Sequence, residues 1–145
     1  MTNCLLAICR RVTQNSAMFG FGKKKKSPLA EKLSVQEVTN LDEFENLVES
    51  SHNSPVFLLK HSTRCPISKW AFDELVEAEK KMAPMASFAY LDLIAFREVS
   101  NFISHSTGIK HESPQLFYIA EGQVRTVLSH QDVKVTAMEE MVGQN

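Results

Sequence analysis

From about residue 35 onward, short apolar runs alternate with longer segments of helical periodicity. Val35 to Val38 reads as a short edge strand. Asn40 then predicts a helix cap, with Glu43 completing a capping box and Leu41, Phe44, Leu47 and Val48 forming one apolar face. The polar cluster from Ser50 to Pro55 ends that helix. Val56 to Leu59 is apolar without alternation, the pattern of a central strand covered on both faces. A second helix is expected from Pro66, since proline suits a first turn where its missing N–H costs nothing. Ile67, Ala71, Leu75, Ala78 and Met82 then keep helical spacing until Pro84. Phe88 to Ile94 reads as another buried strand, and Val99, Phe102 and Ile103 mark a third helix closing at Gly108. Gln115 to Ala120 and Gln123 to Leu128 flank Glu121-Gly122, a hairpin turn. A last helix is predicted near Thr136, with Glu139 as its capping-box partner.

Crossover helices between the early strands imply parallel pairing, and the tight final turn implies an antiparallel hairpin. The fold class is therefore α/β, a mixed central sheet with helices on both faces, and the element order is similar to the thioredoxin fold. Residues 35–145 form the expected single domain behind a basic leader of residues 1–34. A length of 145 residues, 43% of them apolar, suits one ordinary core. No run approaches the roughly 18 apolar residues of a transmembrane helix, so a soluble body is expected.

Charge divides the chain. The net charge of −1 combines +6 over residues 1–26, from Arg10, Arg11 and Lys23 to Lys26, with −7 over the remainder. An acidic body argues against nucleic acid as a partner. The lysine tetrad reads as a solvated leader, with a membrane-surface or polyanion contact as the alternative. Met18 followed by Phe-Gly-Phe-Gly reads as a natural chain start, which would make residues 1–17 a start-site artefact. Three cysteines, Cys4, Cys9 and Cys65, do not form a disulfide framework, and a reducing cytoplasm is the expected compartment.

Cys65 carries the candidate chemistry. It lies between a buried strand and the first turn of a helix, within Lys60-His61-Ser62-Thr63-Arg64-Cys65-Pro66-Ile67-Ser68. A helix N-terminus carries unpaired N–H groups and about half a positive charge, which favour thiolate, the attacking species in disulfide exchange. Arg64 adds a cation, and Lys60 or His61 is the candidate for a second tuning group. Free cysteine is often simply a small buried residue, but a junction beside Arg64 and Pro66 suits such a residue poorly.

A second motif, Lys110-His111-Glu112-Ser113-Pro114-Gln115, precedes the fourth strand. In a thioredoxin-like layout this loop faces the cysteine, and a cis peptide before Pro114 would turn the Ser113 backbone toward an incoming disulfide; an ordinary turn proline is the alternative. With both motifs in place, together with Val99-Ser100-Asn101, Thr107-Gly108-Ile109 and Ser129-His130, the sequence over about residues 35–143 resembles the bacillithiol-system YtxJ family, the monothiol bacilliredoxins.

That resemblance implies a thiol–disulfide oxidoreductase acting on S-bacillithiolated proteins, with bacillithiol as thiol co-substrate and no tightly bound cofactor. By position Cys65 is the catalytic residue. Thr63, Arg64, Pro66 and Ser68, with Ser113 and Pro114, form the expected substrate-binding set. Ser68 stands where a dithiol enzyme carries its resolving cysteine, so an intramolecular Cys-x-x-Cys disulfide cannot form. Ser68 either donates to the Cys65 sulfur or satisfies backbone, and His61 is either a proton shuttle or a structural residue at the strand end. Trp70, one turn beyond the cysteine, is expected in the core, with a partial cover for the site as the alternative. His111 and Glu112 lack metal-ligand spacing to Cys65, so no metal is assigned. No membrane partner and no dimer are called for. The competing functions are a binding module that keeps the fold without catalysis, and a monothiol iron–sulfur carrier, whose Cys-Gly-Phe-Ser signature the Cys-Pro-Ile-Ser here does not match.

Overall fold

A computed structural model describes residues 35–143; the proposed leader and its cysteines lie outside that range. The elements run β1 (Gln36–Glu37), α1 (Leu41–Ser50), β2 (Val56–His61), α2 (Pro66–Met82), β3 (Ser87–Asp92), α3 (Arg97–Thr107), β4 (Gln115–Ala120), β5 (Gln123–Ser129), a 3-10 turn (His130–Asp132) and α4 (Val135–Gly143). The sheet order is β1-β3-β2-β4-β5. β1 and β2 each pair parallel with β3, whereas β4 pairs antiparallel with both β2 and β5.

β2 lies at the centre and is buried along its whole length. Its alternate residues serve two cores. Phe57 and Leu59 pack with α2 and α4 through Phe72, Leu75 and Met138, while Val56 and Leu58 pack with α1 and α3 through Phe44, Val99 and Ile103. This double coverage explains why the strand carries no polar alternation. No helix among the described residues is long and apolar enough to cross a membrane.

Local chemistry sets most boundaries. The Glu43 N–H donates to Asn40 Oδ1 at 2.9 Å, and the Glu43 carboxylate accepts the Thr39 N–H at 2.7 Å, one residue earlier than a standard capping box. Gly108 ends α3 at φ +69°. The hairpin turn has positive φ at both Glu121 and Gly122, the geometry that matches the twist of the flanking strands. Its two N–H groups donate to the carbonyl and hydroxyl of Ser51 at the end of α1, both at 2.9 Å.

Several expected boundaries differ by a few residues, and two have a clear cause. β3 stops at Asp92 rather than Ile94, because the Asp92 carboxylate accepts the N–H groups of Ile94 and Ala95 and turns the chain. α4 starts at Val135, with Thr136 already inside it. The Val135 N–H donates to Glu74 Oε2 of α2 at 2.8 Å, and Glu139 instead faces Lys81 at 3.8 Å. The cap of the last helix is thus a tertiary contact. Glu74→Ala is expected to cost about 1 kcal/mol, the usual worth of a helix cap, measured as a lower urea midpoint at unchanged slope.

Candidate active site

The site gathers at one end of the sheet. β2 and β4 are antiparallel neighbours with Lys60 opposite Gln115, so the loop leaving β2, which carries Cys65, and the loop entering β4, which ends at Pro114, emerge side by side. A third segment joins them where β5 ends. The His130 N–H donates to the Pro114 carbonyl at 3.0 Å, and Gln131 and Lys134 share a groove with Pro66, Ile67 and Trp70. The Ser113–Pro114 bond is cis.

Cys65 is half-buried and caps α2 with extended backbone, φ −110° and ψ 122°. Its N–H donates to the Ser62 carbonyl at 3.2 Å, and its carbonyl accepts the Lys69 N–H at 3.0 Å, the first bond of the helix. Pro66 fills the first helical position, the first turn holds no acidic residue, and the last turn holds Lys80 and Lys81. The positive end of the helix dipole is therefore left to the sulfur rather than to a carboxylate. Thr63, Arg64 and Pro66 are exposed around it.

Ser68 is fully buried and occupied. Its hydroxyl accepts the Ser62 N–H at 2.8 Å and lies 3.0 Å from His61 Nδ1, which is also 3.0 Å from the Ser68 carbonyl. Of the two roles open to Ser68, the structure favours satisfying backbone. It braces the loop that carries Cys65. His61 is buried against the Phe72 ring at 5.1 Å, and burial pushes its pKa below the usual imidazole value despite the Ser68 bond and Asp92. His61 is thus held at the strand end between the Ser68 backbone and hydroxyl on one side and the Phe72 ring on the other.

Lys60, the other candidate tuning group, lies on the α3 side of the sheet. Neighbouring residues on a strand point to opposite faces, so with His61 turned toward α2, Lys60 points to α3. Its side chain is fully buried. Nζ donates to the Ser100 carbonyl at 3.2 Å and Ser104 Oγ at 3.0 Å, and lies 5.9 Å from the Phe117 ring centroid. Burial lowers its pKa from 10.5 to about 8.

Trp70 is not in the core: it is 38% exposed, and Ile67 beside it is 45% exposed. The buried stripe of α2 runs instead through Ser68, Ala71, Phe72, Leu75, Ala78 and Met82. Ile67 and Trp70 open with Pro66, Gln131 and Lys134 into a shallow, mainly apolar groove of about 500 Å³ beside the cysteine. Sequence periodicity missed the groove because its far wall comes from residues some sixty positions away. Glu112 stands 3.9 Å from His130, and His111 is exposed, with its pKa lowered by partial desolvation and by the charge of Lys60 against the opposing pull of Glu112. No group of three or more potential metal ligands occurs among the described residues.

The buried lysine sets a pH dependence. Below pH 8 folded and unfolded chains both hold the Lys60 proton, and burial costs about 3 kcal/mol at 1.36 kcal/mol for each tenfold change in the proton equilibrium. Between pH 8 and 10.5 the folded chain holds fewer protons, so this cost declines as pH rises. Lys60→Met is expected to be at least as stable as the wild type at pH 7, with an advantage that shrinks through that window in paired urea titrations.

A family model described as monothiol bacilliredoxin BrxC matches residues 36–138. Among solved structures, the chain is similar to a thioredoxin-fold protein described as a candidate oxidoreductase, at 33% identity over 74% of this chain and 92% of that one, with a TM-score of 0.68. It also resembles a thioredoxin of Fasciola hepatica, at 14% identity over 76% and 98% of the two chains with a TM-score of 0.63. Thioredoxin O1 of Arabidopsis thaliana matches at 20% identity over 77% and 96%, with a TM-score of 0.61. These last two similarities concern the fold. With the family match over residues 36–138 and a solved relative at 33% identity, the chain belongs to the monothiol bacilliredoxin family of thioredoxin-fold thiol-redox proteins.

Proposed function

We propose that this protein removes bacillithiol from protein mixed disulfides through a one-cysteine cycle at Cys65. The observation that carries the reading is a half-buried thiol, the one cysteine among the described residues, at the N-cap of α2 and at the same end of the sheet as the Pro114 loop, with a committed serine where a resolving thiol would stand. The Cys65 thiolate attacks the bacillithiol sulfur of the mixed disulfide. The substrate S–S bond breaks, a Cys65–bacillithiol S–S bond forms, and the repaired protein leaves as thiolate. A second bacillithiol thiolate then attacks the adduct, freeing Cys65 and leaving as oxidised bacillithiol. Each step is an exchange at constant oxidation level, and the reduction of oxidised bacillithiol falls to another reductant. Such a cycle suits a reducing cytoplasm.

Thr63, Arg64 and Pro66, exposed next to Cys65 in sequence, form the substrate-facing rim with the half-buried Ser113, and Pro114 backs it from a buried position. Ser68 acts from beneath, by holding the cysteine loop. The groove of Ile67 and Trp70 takes apolar side chains flanking the modified cysteine of a substrate protein.

Incubation with oxidised bacillithiol is expected to add one bacillithiol by intact mass, confined to Cys65, absent in Cys65→Ser and reversed by reduced bacillithiol. No adduct, with partner binding intact in Cys65→Ser, would establish a binding module instead. Trp70→Ala is expected to raise KM for a bacillithiolated protein about tenfold, the worth of one modest apolar contact, while reaction with a small disulfide stays within about twofold. Equal loss on both substrates would remove the groove from substrate recognition.

A further inference from the structure

Lys60 and Gln115 face each other across the β2–β4 ladder at the last rung before the two site loops. Being directly opposite, their side chains lie on the same face, the α3 side. Both are polar, both are at least 98% buried, and neither takes part in the exchange chemistry. Lys60 Nζ holds α3 through the Ser100 carbonyl and Ser104 hydroxyl. Gln115 Nε2 donates to the Lys110 carbonyl at 2.9 Å, just beyond the Gly108 that ends α3. The segment from α3 to Pro114 is thus tied at its helix by Lys60 and at its first residues by Gln115.

Packing does not require this chemistry. Phe117 and Leu58, one step further along each strand on the same face, are apolar and fully buried. The Gln115 Oε1 atom is buried without a protein partner, and an ammonium in this position meets no carboxylate among its hydrogen-bond partners. Buried polar groups left partly unsatisfied cost stability, and an apolar replacement of the same shape is often neutral or stabilising. A cost of this kind beside a reactive site is characteristic of groups that serve function.

We propose that Lys60 and Gln115 are positioning residues, a buried polar brace that holds the Lys110–Ser113 loop in the geometry that receives the mixed disulfide. The inference rests on the reading of that loop as substrate-facing. Lys60 fixes the helix from which the loop departs, and Gln115 fixes the loop against the strand it enters. Cys65, in the loop that leaves β2, is supported separately by Ser68 and His61. The site therefore has two independent supports, one under the nucleophile and one under the substrate loop.

The test compares Lys60→Met and Gln115→Met, which keep shape and remove the polar atoms, with the wild-type chain. Amide order parameters over residues 110–113 are expected to fall from about 0.85 to below about 0.6, with those of β2 and β3 unchanged. The thermal midpoint should be no lower than that of the wild type. With a bacillithiolated protein as substrate, KM should rise about tenfold, while kcat and the rate of Cys65 alkylation stay within about twofold. A wild-type loop already below 0.6, or order parameters unmoved in both variants, overturns the brace. A lowered midpoint with an unmoved loop and KM reduces the pair to packing. Should the wild-type chain not act on the mixed disulfide at all, the proposed substrate fails, and the order parameters alone still decide the brace.

Discussion

The antiparallel pairing of β2 with β4 is the constraint on which this molecule depends. It joins two parallel strands on one side to a hairpin on the other, and its last rung places the residue before His61 opposite the residue after Pro114. A one-residue slip in an antiparallel register exchanges the faces of every side chain on the strand. Here it would carry His61 away from α2 and Lys60 away from α3, undoing both loop supports at once. The long buried run of each strand enforces the register, because both faces of β2 fill separate cores.

Two kinds of stabilisation divide the labour. The body of the sheet is held by apolar burial, with Phe57 stacked on Phe88 and tilted against Tyr118, and this gains free energy without directional demands. The end bearing the cysteine relies on hydrogen bonds of side chains to backbone: Ser68 to Ser62, Lys60 to Ser100, Gln115 to Lys110. These add little net stability but fix positions to within a few tenths of an ångström, which is what two reacting sulfur atoms need. The molecule is therefore oily where it must be stable and polar where it must be exact in shape.

Most of the architecture was legible in the residues because each element announces itself locally. The unbroken Val56–Leu59 run, the Asn40 cap, Gly108 and the Glu121-Gly122 turn each act within a few positions, and each stands where it was expected. The differences have two origins, contact between distant segments and local polar groups that stand where apolar ones were looked for. Glu74 caps α4 from 61 positions away. Ile67 and Trp70 keep helical spacing yet face outward, because the buried position in the first turn belongs to Ser68, whose polar character disguised it. Nothing in the sequence marks which face Lys60 occupies, since a strand buried on both faces offers no alternation to show which way a residue points. The candidate site was legible as a cysteine and a proline loop; the groove and the lysine–glutamine rung needed three dimensions. The one available signal was polarity itself, a lysine and a glutamine at the ends of otherwise apolar strands.

Ser68 has an evolutionary implication. A sulfur atom is larger than a hydroxyl oxygen and a weak acceptor, so cysteine at this fully buried position would strain the first turn of α2 and deprive the Ser62 amide and the His61 ring of their shared partner. Passage between one-thiol and two-thiol chemistry on this scaffold is thus not a single-step exchange of oxygen for sulfur. It is an epistatic transition, in which the ring at position 61 and the backbone amide of residue 62 need another partner before, or together with, the change at position 68.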